Sequence, residues 1–152
     1  MKTGMTFFGA TVILLFLILL GGCGPGKYVP KANEEINGTW TNEKIFPQKV
    51  VNTADGWKQY NYMSDPTPLY EGTGGIASKW RDSEGNIWYK IFSTVTSTAY
   101  KGTKSQELDK LSKSGTVWES VSTMVREFNS DSYPTKIDPN DSSYRIYYRS
   151  EK

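Results

Sequence analysis

The chain reads KVVNTADGWKQYNYM from residue 49 to residue 63, and this stretch decides the predicted fold. Its Asp55-Gly56 pair lies between two runs, 49–53 and 57–63, that contain β-branched and aromatic residues. An Asp-Gly pair between such runs is the strongest short-range signal for a β-hairpin, because glycine accepts the positive φ of a tight turn. The stretch therefore predicts two antiparallel strands joined by a tight turn.

Other turn-forming clusters divide the rest of the chain in the same way. DSEGN at residues 82–86 and SKSG at residues 112–115 each separate two runs of β-forming residues. The eight predicted strands are residues 38–45, 49–53, 57–63, 76–81, 87–96, 107–111, 116–122 and 144–149. Eight antiparallel strands joined mostly by hairpins can close into a barrel, which removes exposed sheet edges and leaves space for one small ligand. We therefore predict an all-β fold, a small eight-stranded antiparallel up-and-down barrel with room for one short helix.

Three segments between these strands lack a clear strand pattern. Residues 65–75 contain two prolines and three glycines, and they predict a long loop over the barrel mouth. Residues 122–128 combine strand propensity with apolar residues at helical spacing, so strand and helix both remain open for them. Residues 129–140 contain two more prolines and predict a loop before the last strand.

The residues after Cys23 have the composition of a β-rich domain. They include 26 Val, Ile and Thr against seven Leu and Ala. This ratio disfavours a helical bundle, because β-branched side chains suit a pleated sheet. Their 17 Lys and Arg against 16 Asp and Glu give a net charge of +1. The sequence therefore indicates no clustered basic surface for nucleic acid.

The chain contains no histidine, and its one cysteine is Cys23. The usual nucleophile–base pairs and the nitrogen or sulfur ligands of metal sites are therefore missing. A carboxylate pair for glycoside hydrolysis remains possible on composition, but the neighbouring acids fall in predicted turns. Residues 138–142 (DPNDS) partly match a calcium loop, for which a turn is the favoured interpretation. We predict a protein without catalytic activity, metal or cofactor.

The N-terminus has the pattern of a targeting segment. Residues 5–20 are uncharged and nearly all apolar, and this run is shorter than the roughly 20 residues that span a bilayer. Leu20-Gly21-Gly22-Cys23 follows directly and resembles the lipobox of bacterial lipoproteins. The resemblance implies cleavage before Cys23, diacylglycerol on its sulfur and acylation, such as by palmitate, of the new amino group. An uncleaved transmembrane anchor is the alternative.

This interpretation divides the chain into three parts. Residues 1–22 are a lipoprotein signal peptide, residues 23–35 are a lipidated tether, and residues 36–152 are the barrel domain. The acyl chains would hold the protein on a bacterial cell membrane as its lipid anchor. Gly24 stands where an aspartate retains some lipoproteins in the inner membrane, which favours the outer membrane where the host has one.

Gly38-Thr39-Trp40 stands at the start of the first predicted strand. It resembles the Gly-x-Trp entry motif of the lipocalins and of related lipocalin-like bacterial domains. The resemblance implies that Trp40 closes the base of the barrel and that Arg145 or Arg149, on the last strand, packs on its indole ring. Arg145, Tyr147 and Arg149 share one face of that strand, and the sequence leaves open whether this face is the inner one.

Aromatic residues make up about one residue in seven after Cys23, and they form either a packed core or the lining of a ligand cavity. The candidate ligand-binding residues are Trp57, Tyr60, Tyr62, Trp80, Trp88 and Tyr89. Because side chains alternate along a strand, only some of them can point inward. We expect lipocalin-like binding of a small apolar or amphipathic ligand.

The alternative is a protein-binding module of the cell envelope, such as an assembly factor, an inhibitor or a host-contact protein. Tyr, Trp and Arg dominate the energetics of protein interfaces. Exposed aromatic residues beside arginines, for example Tyr147, would then be the anchors of a binding surface.

Overall fold

Each predicted run of β-forming residues forms a strand in the computed structural model, which describes residues 34–42 and 48–150. The strands are β1 (Gly38–Asn42), β2 (Gln48–Thr53), β3 (Gly56–Tyr60), β4 (Tyr70–Arg81), β5 (Ile87–Val95), β6 (Lys104–Leu111), β7 (Val117–Val125) and β8 (Arg145–Arg149). Neighbouring strands pair antiparallel in chain order, and β1 pairs with β8 to close the barrel. The predicted eight-stranded up-and-down barrel is confirmed. The signal peptide, Cys23 and residues 43–47 lie outside the described residues.

The two ends of the barrel differ in their connections. The tight turns between β2 and β3, β4 and β5, and β6 and β7 lie at one end, which we call the hairpin end. The longer connections 61–69, 96–103 and 126–144 lie at the other, which we call the loop end. Before β1, the Asn37 amide donates to the Glu34 carbonyl (3.0 Å) and forms a single turn at the hairpin end. The helical segment within residues 34–42 and 48–150 is one 3₁₀ turn, Thr98–Tyr100.

β4 is longer than predicted, because it begins at Tyr70 and includes all three glycines that were assigned to a loop. Gly72 pairs with Trp57 of β3, and the Trp57 ring lies directly over it. A Cβ on Gly72 would lie 2.8 Å from that ring and 2.6 Å from the Thr94 carbonyl oxygen. Glycine therefore serves here as the site of close packing for a tryptophan and not as a strand breaker.

A β-bulge in β4 decides which side chains of its second half point inward. The pairing with β5 shifts by one residue between Ile76 and Ser78. After the shift, Lys79 is paired with the buried Tyr89 and Trp80 with the outer Trp88. One extra residue reverses the alternation of a strand, so Lys79 shares the face of Tyr89 at the exposed rim of the hairpin end, and Trp80 lies on the outer face.

The connection between β7 and β8 packs on the outer face of β5 and β6. The Gln106 amide donates to the Asn129 carbonyl (2.6 Å) and accepts from the Asn129 amide (3.1 Å), and Phe128 packs on Phe92 with ring centroids 5.2 Å apart. This cover buries Gln106 completely. The segment 122–128, which the sequence left open, continues β7 to Val125 and contains no helix.

Candidate functional site

The hairpin end of the barrel is closed around Trp40. This side chain is fully buried, its indole N–H donates to the Ile36 carbonyl (2.9 Å), and its ring meets Trp118 edge-on at 5.7 Å between centroids. The Arg149 guanidinium carbon lies 4.3 Å from the Trp40 ring centroid, which is a cation–π contact. The inner face of β8 is therefore the one with Tyr147 and the two arginines.

Arg149 and not Arg145 is the partner of Trp40. Arg149 donates hydrogen bonds to the carbonyl oxygens of Glu35, Asn37 and Gly115, and so ties the turn before β1 to the hairpin between β6 and β7. Arg145 lies at the loop end, where it donates to the carbonyls of Ser142 and Tyr144.

Gly38 makes room for the Arg149 side chain. Its φ is +136°, which favours glycine, and a Cβ at this position would lie 2.9 Å from Arg149 Nη1. Gly38 and Trp40 of the Gly38-Thr39-Trp40 motif thus both contact the Arg149 side chain: Gly38 leaves space for it, and the Trp40 ring packs against its guanidinium group.

Glu34 and Glu35, assigned to the tether from sequence, contact the barrel. Lys79 Nζ lies 2.7 Å from Glu34 Oε2 and 2.5 Å from Glu35 Oε2, and the Tyr89 hydroxyl donates to Glu35 (3.4 Å). The hydrogen bond from Lys79 is the main reason why the pKa of Glu35 is lowered. These ion pairs complete the closed end.

Above this closed end the barrel contains a cavity of about 550 Å³. Its apolar wall includes Val50, Trp57, Ile76, Ile91, Trp118 and Tyr147. Its polar wall includes Gln48, Asn52, Gln59, Ser93, Glu107, Asp109, Ser120 and Ser122. The cavity extends to loop-end residues such as Met124 and Arg145. An interior with both kinds of surface suits a ligand that has both apolar and polar parts.

Two carboxylic acids of β6 face this cavity. Glu107 Oε1 accepts hydrogen bonds from Ser105 (2.8 Å) and Ser93 (3.2 Å). Asp109, two residues later on the same face, is fully buried, and neither of its oxygens has a partner in hydrogen-bonding geometry. The indole N–H groups of Trp57 and Trp118 are also buried without a partner.

Burial raises the pKa of both acids. Asp109 has its pKa raised well above the ordinary value, first by loss of water and then by the neighbouring charge of Glu107. The Ser120 hydroxyl and the Trp118 indole N–H oppose this rise as nearby donors, although neither is in good hydrogen-bonding geometry. The pKa of Glu107 is raised by burial against the opposing effect of Ser105 and Ser93. A buried carboxylate whose donors are poorly placed costs free energy, so Asp109 destabilises the barrel when it is ionised.

The structure separates the six aromatic residues that the sequence suggested for ligand binding. Trp57 lines the cavity, and Tyr89 is fully buried in the core without lining it. Tyr60 contacts Lys49 on the outer face, and Tyr62 is exposed at the loop end. These two residues, like Trp80 and Trp88, lie outside the cavity. The expectation that these four side chains line it is therefore wrong.

Trp80 and Trp88 stack on the outer surface at the hairpin end. Their ring centroids are 6.0 Å apart, with 10° between the ring planes. The Trp88 indole donates to Asp82 (2.8 Å), and this bond is the main cause that lowers the pKa of Asp82 to about 2. Asp82 also accepts from the Asn86 amide (2.9 Å), so this acid organises the turn between β4 and β5.

Sequence reasoning missed Glu107 and Asp109 as site residues. Alternation places Ser105, Glu107 and Asp109 on one face of β6, and Gln106 and Leu108 on the other. Acidic residues are ordinarily assigned to the solvent-exposed outer face of a barrel strand. The outer face of β6 is instead covered by the connection between β7 and β8, and the acids lie on the inner face. The signal available in the sequence was a pair of acids at alternate positions on one face of β6, with a polar and an apolar residue, Gln106 and Leu108, on the other face.

The acids of residues 138–142 form turns. Asp138 accepts from the Asn140 amide (3.0 Å), and Asp141 accepts from the Ser143 amide (2.8 Å). Within residues 34–42 and 48–150, no group of three or more Asp, Glu, Cys or His is placed to hold a metal ion.

No helix in the described part of the chain has the length and apolar character needed to cross a membrane.

The cavity with its two acids, above the closed hairpin end, is the candidate functional site of the barrel. The chain matches no protein-family model, no curated protein and no solved structure.

Proposed function

We propose that this protein is a membrane-anchored bacterial lipoprotein whose barrel binds one small amphipathic ligand without transforming it. The lipid anchor rests on the lipobox-like residues that end at Cys23. The binding activity rests on a single observation, the cavity of about 550 Å³ inside a barrel that is closed at one end.

The size and lining of the cavity support this proposal. Small-molecule sites are commonly about 300–1,000 Å³ and combine apolar walls with a few polar groups. Trp57, Trp118 and Tyr147 supply apolar area, while Asp109 supplies a polar group that has no protein partner in good hydrogen-bonding geometry. The lining therefore favours an amphipathic ligand over a purely apolar one.

The test is native mass spectrometry of the full chain, purified from bacterial cells in mild detergent. The proposal predicts a bound small molecule that denaturation releases. The substitution Ser122→Trp places a large ring on a residue that lines the cavity, and it should abolish the bound mass. The neighbouring Thr123 is exposed, so Thr123→Trp is the matched control and should keep it. A protein without a bound molecule, or a Ser122→Trp variant that retains it, would contradict the proposal.

A second candidate, a protein-binding module, is favoured by the surface of the loop end. Its exposed apolar side chains are Tyr62, Met63, Leu69, Tyr100 and Met124. Tyr147, suggested from sequence as an exposed anchor, is buried, so any binding surface would be the loop end instead. A photo-crosslinking residue at Tyr100 should then capture an envelope protein in whole cells, and one at Trp80, exposed at the opposite end, should not.

A further inference from the structure

We propose that the ligand is a protonated amine with an apolar or aromatic body, and that Asp109 and Glu107 hold its ammonium group inside the barrel. This inference rests on the proposed function, because it names the chemical class of the molecule that the cavity binds.

The hydrogen-bonding capacity of Asp109 is only partly met by the protein. Asp109 is fully buried in the cavity wall, and the nearby Ser120 hydroxyl and Trp118 indole N–H do not reach its oxygens in good hydrogen-bonding geometry. Buried acceptors in folded proteins are nearly always satisfied, so each exception needs an explanation. An ammonium group has three donors, which matches an acceptor pair on one face of a strand.

The two acids also lack a balancing cation among the described residues. Among the described residues, no ion pair includes Glu107 or Asp109. Arg145 reaches the cavity, but its guanidinium donates to two loop-end carbonyls. Two buried acids without a counter-ion repel each other when ionised, and a bound cation removes that repulsion.

Aromatic rings line the same cavity as the two acids. Trp118 stacks on Tyr147 with ring centroids 4.6 Å apart, and both rings line the same cavity as Trp57. Aromatic faces attract ammonium groups and also pack against an apolar body.

The experiment compares three probes that share a phenyl ring on a four-carbon chain and differ in the terminal group, which is an ammonium, a hydroxyl or a carboxylate: phenylbutylamine, phenylbutanol and phenylbutyrate. Each is titrated by calorimetry into the full chain in phosphatidylcholine nanodiscs at neutral pH, with empty nanodiscs as the blank. We expect the amine to bind at least about tenfold more tightly than the alcohol, and the carboxylate to bind most weakly.

The decisive variant is Asp109→Asn, which keeps the shape of the side chain and removes its charge. It should weaken amine binding at least about tenfold while alcohol binding changes less than about threefold. Glu127→Gln removes an exposed acid of the β7–β8 connection and should change neither. Glu107→Gln provides a second cavity variant in case Asp109→Asn fails to fold.

Amine binding no tighter than alcohol binding would overturn the inference while the cavity remained a ligand site. Equal effects of Asp109→Asn and Glu127→Gln on amine binding would overturn it as well. If none of the three probes binds, the inference fails, and the native mass measurement decides the proposed function separately.

Discussion

At the scale of single residues, Asp109 links the site to the pH dependence of stability. Its folded-state pKa is raised above the ordinary 3.8, so the unfolded chain releases this proton at a lower pH than the folded barrel does. Stability from this group is complete below the unfolded pKa and is lost as pH rises through the folded pKa. Tyr147 has its pKa raised to about 12, so it stays neutral over this range. The pKa of Glu107 is also raised, so Glu107 adds to the loss of stability as pH rises.

We therefore expect Asp109→Asn to have the stability of the wild-type chain at acidic pH and to exceed it at mildly alkaline pH. Thermal unfolding of the full chain in detergent, measured across this range without added ligand, checks the prediction. A wild-type chain that gains stability relative to Asp109→Asn as pH rises would show that the folded-state pKa of Asp109 is lowered instead.

Arg149 holds the closed end of the barrel together through its contacts with Trp40 and three carbonyl oxygens. Arg149→Ala removes the cation over Trp40 and leaves three carbonyl oxygens without their donor. We expect a loss of about 2–4 kcal/mol in the free energy of unfolding, measured by chemical denaturation. Arg145→Ala, on the same strand and face, should cost less than about 1 kcal/mol, because Arg145 is exposed. Similar losses for the two variants would argue against a special role for Arg149.

At the scale of elements, β4 depends on its glycines and on its bulge. Gly72→Ala would push a methyl group into the Trp57 ring and the Thr94 carbonyl. We expect this change to lower the free energy of unfolding by about 1–3 kcal/mol, measured by chemical denaturation, and to shift the tryptophan fluorescence of the folded chain. Thr73→Ala, one residue away and exposed, should stay within about 0.5 kcal/mol of the wild-type chain. An unchanged stability in Gly72→Ala would mean that Trp57 can move away without cost.

At the scale of the whole molecule, the barrel has two different ends. The described chain begins at Glu34 on the closed hairpin end, while the cavity extends toward the loop end with its exposed apolar side chains. A ligand or a protein partner would therefore approach from the end opposite the one at which the chain enters the barrel.

The proposed lipid anchor at Cys23 can be tested on the whole chain. Cys23→Ser removes the thiol that would be acylated, so the chain should keep residues 1–22 and lose its acyl chains. Intact-mass measurement of the purified chain detects both changes, and Ser78→Ala serves as an unrelated control. A Cys23→Ser chain that is cleaved normally and carries the same acyl mass would refute the lipoprotein proposal.

Local sequence patterns were enough to predict the number, order and approximate position of the strands, because turn chemistry and β propensity act between residues that are close in the chain. The predicted β4 was too short, since nothing local shows that Gly72 lies beneath Trp57. Which side chains point inward depends on the three-dimensional packing. The bulge after Ile76 turned Trp80 outward, and the cover over Gln106 allowed the opposite face of β6 to carry Glu107 and Asp109 into the cavity. The side of the sheet on which a side chain lies depends on strand register and on segments that are distant in the chain. Contacts between remote parts of the chain, and not local preference, therefore determine the candidate site.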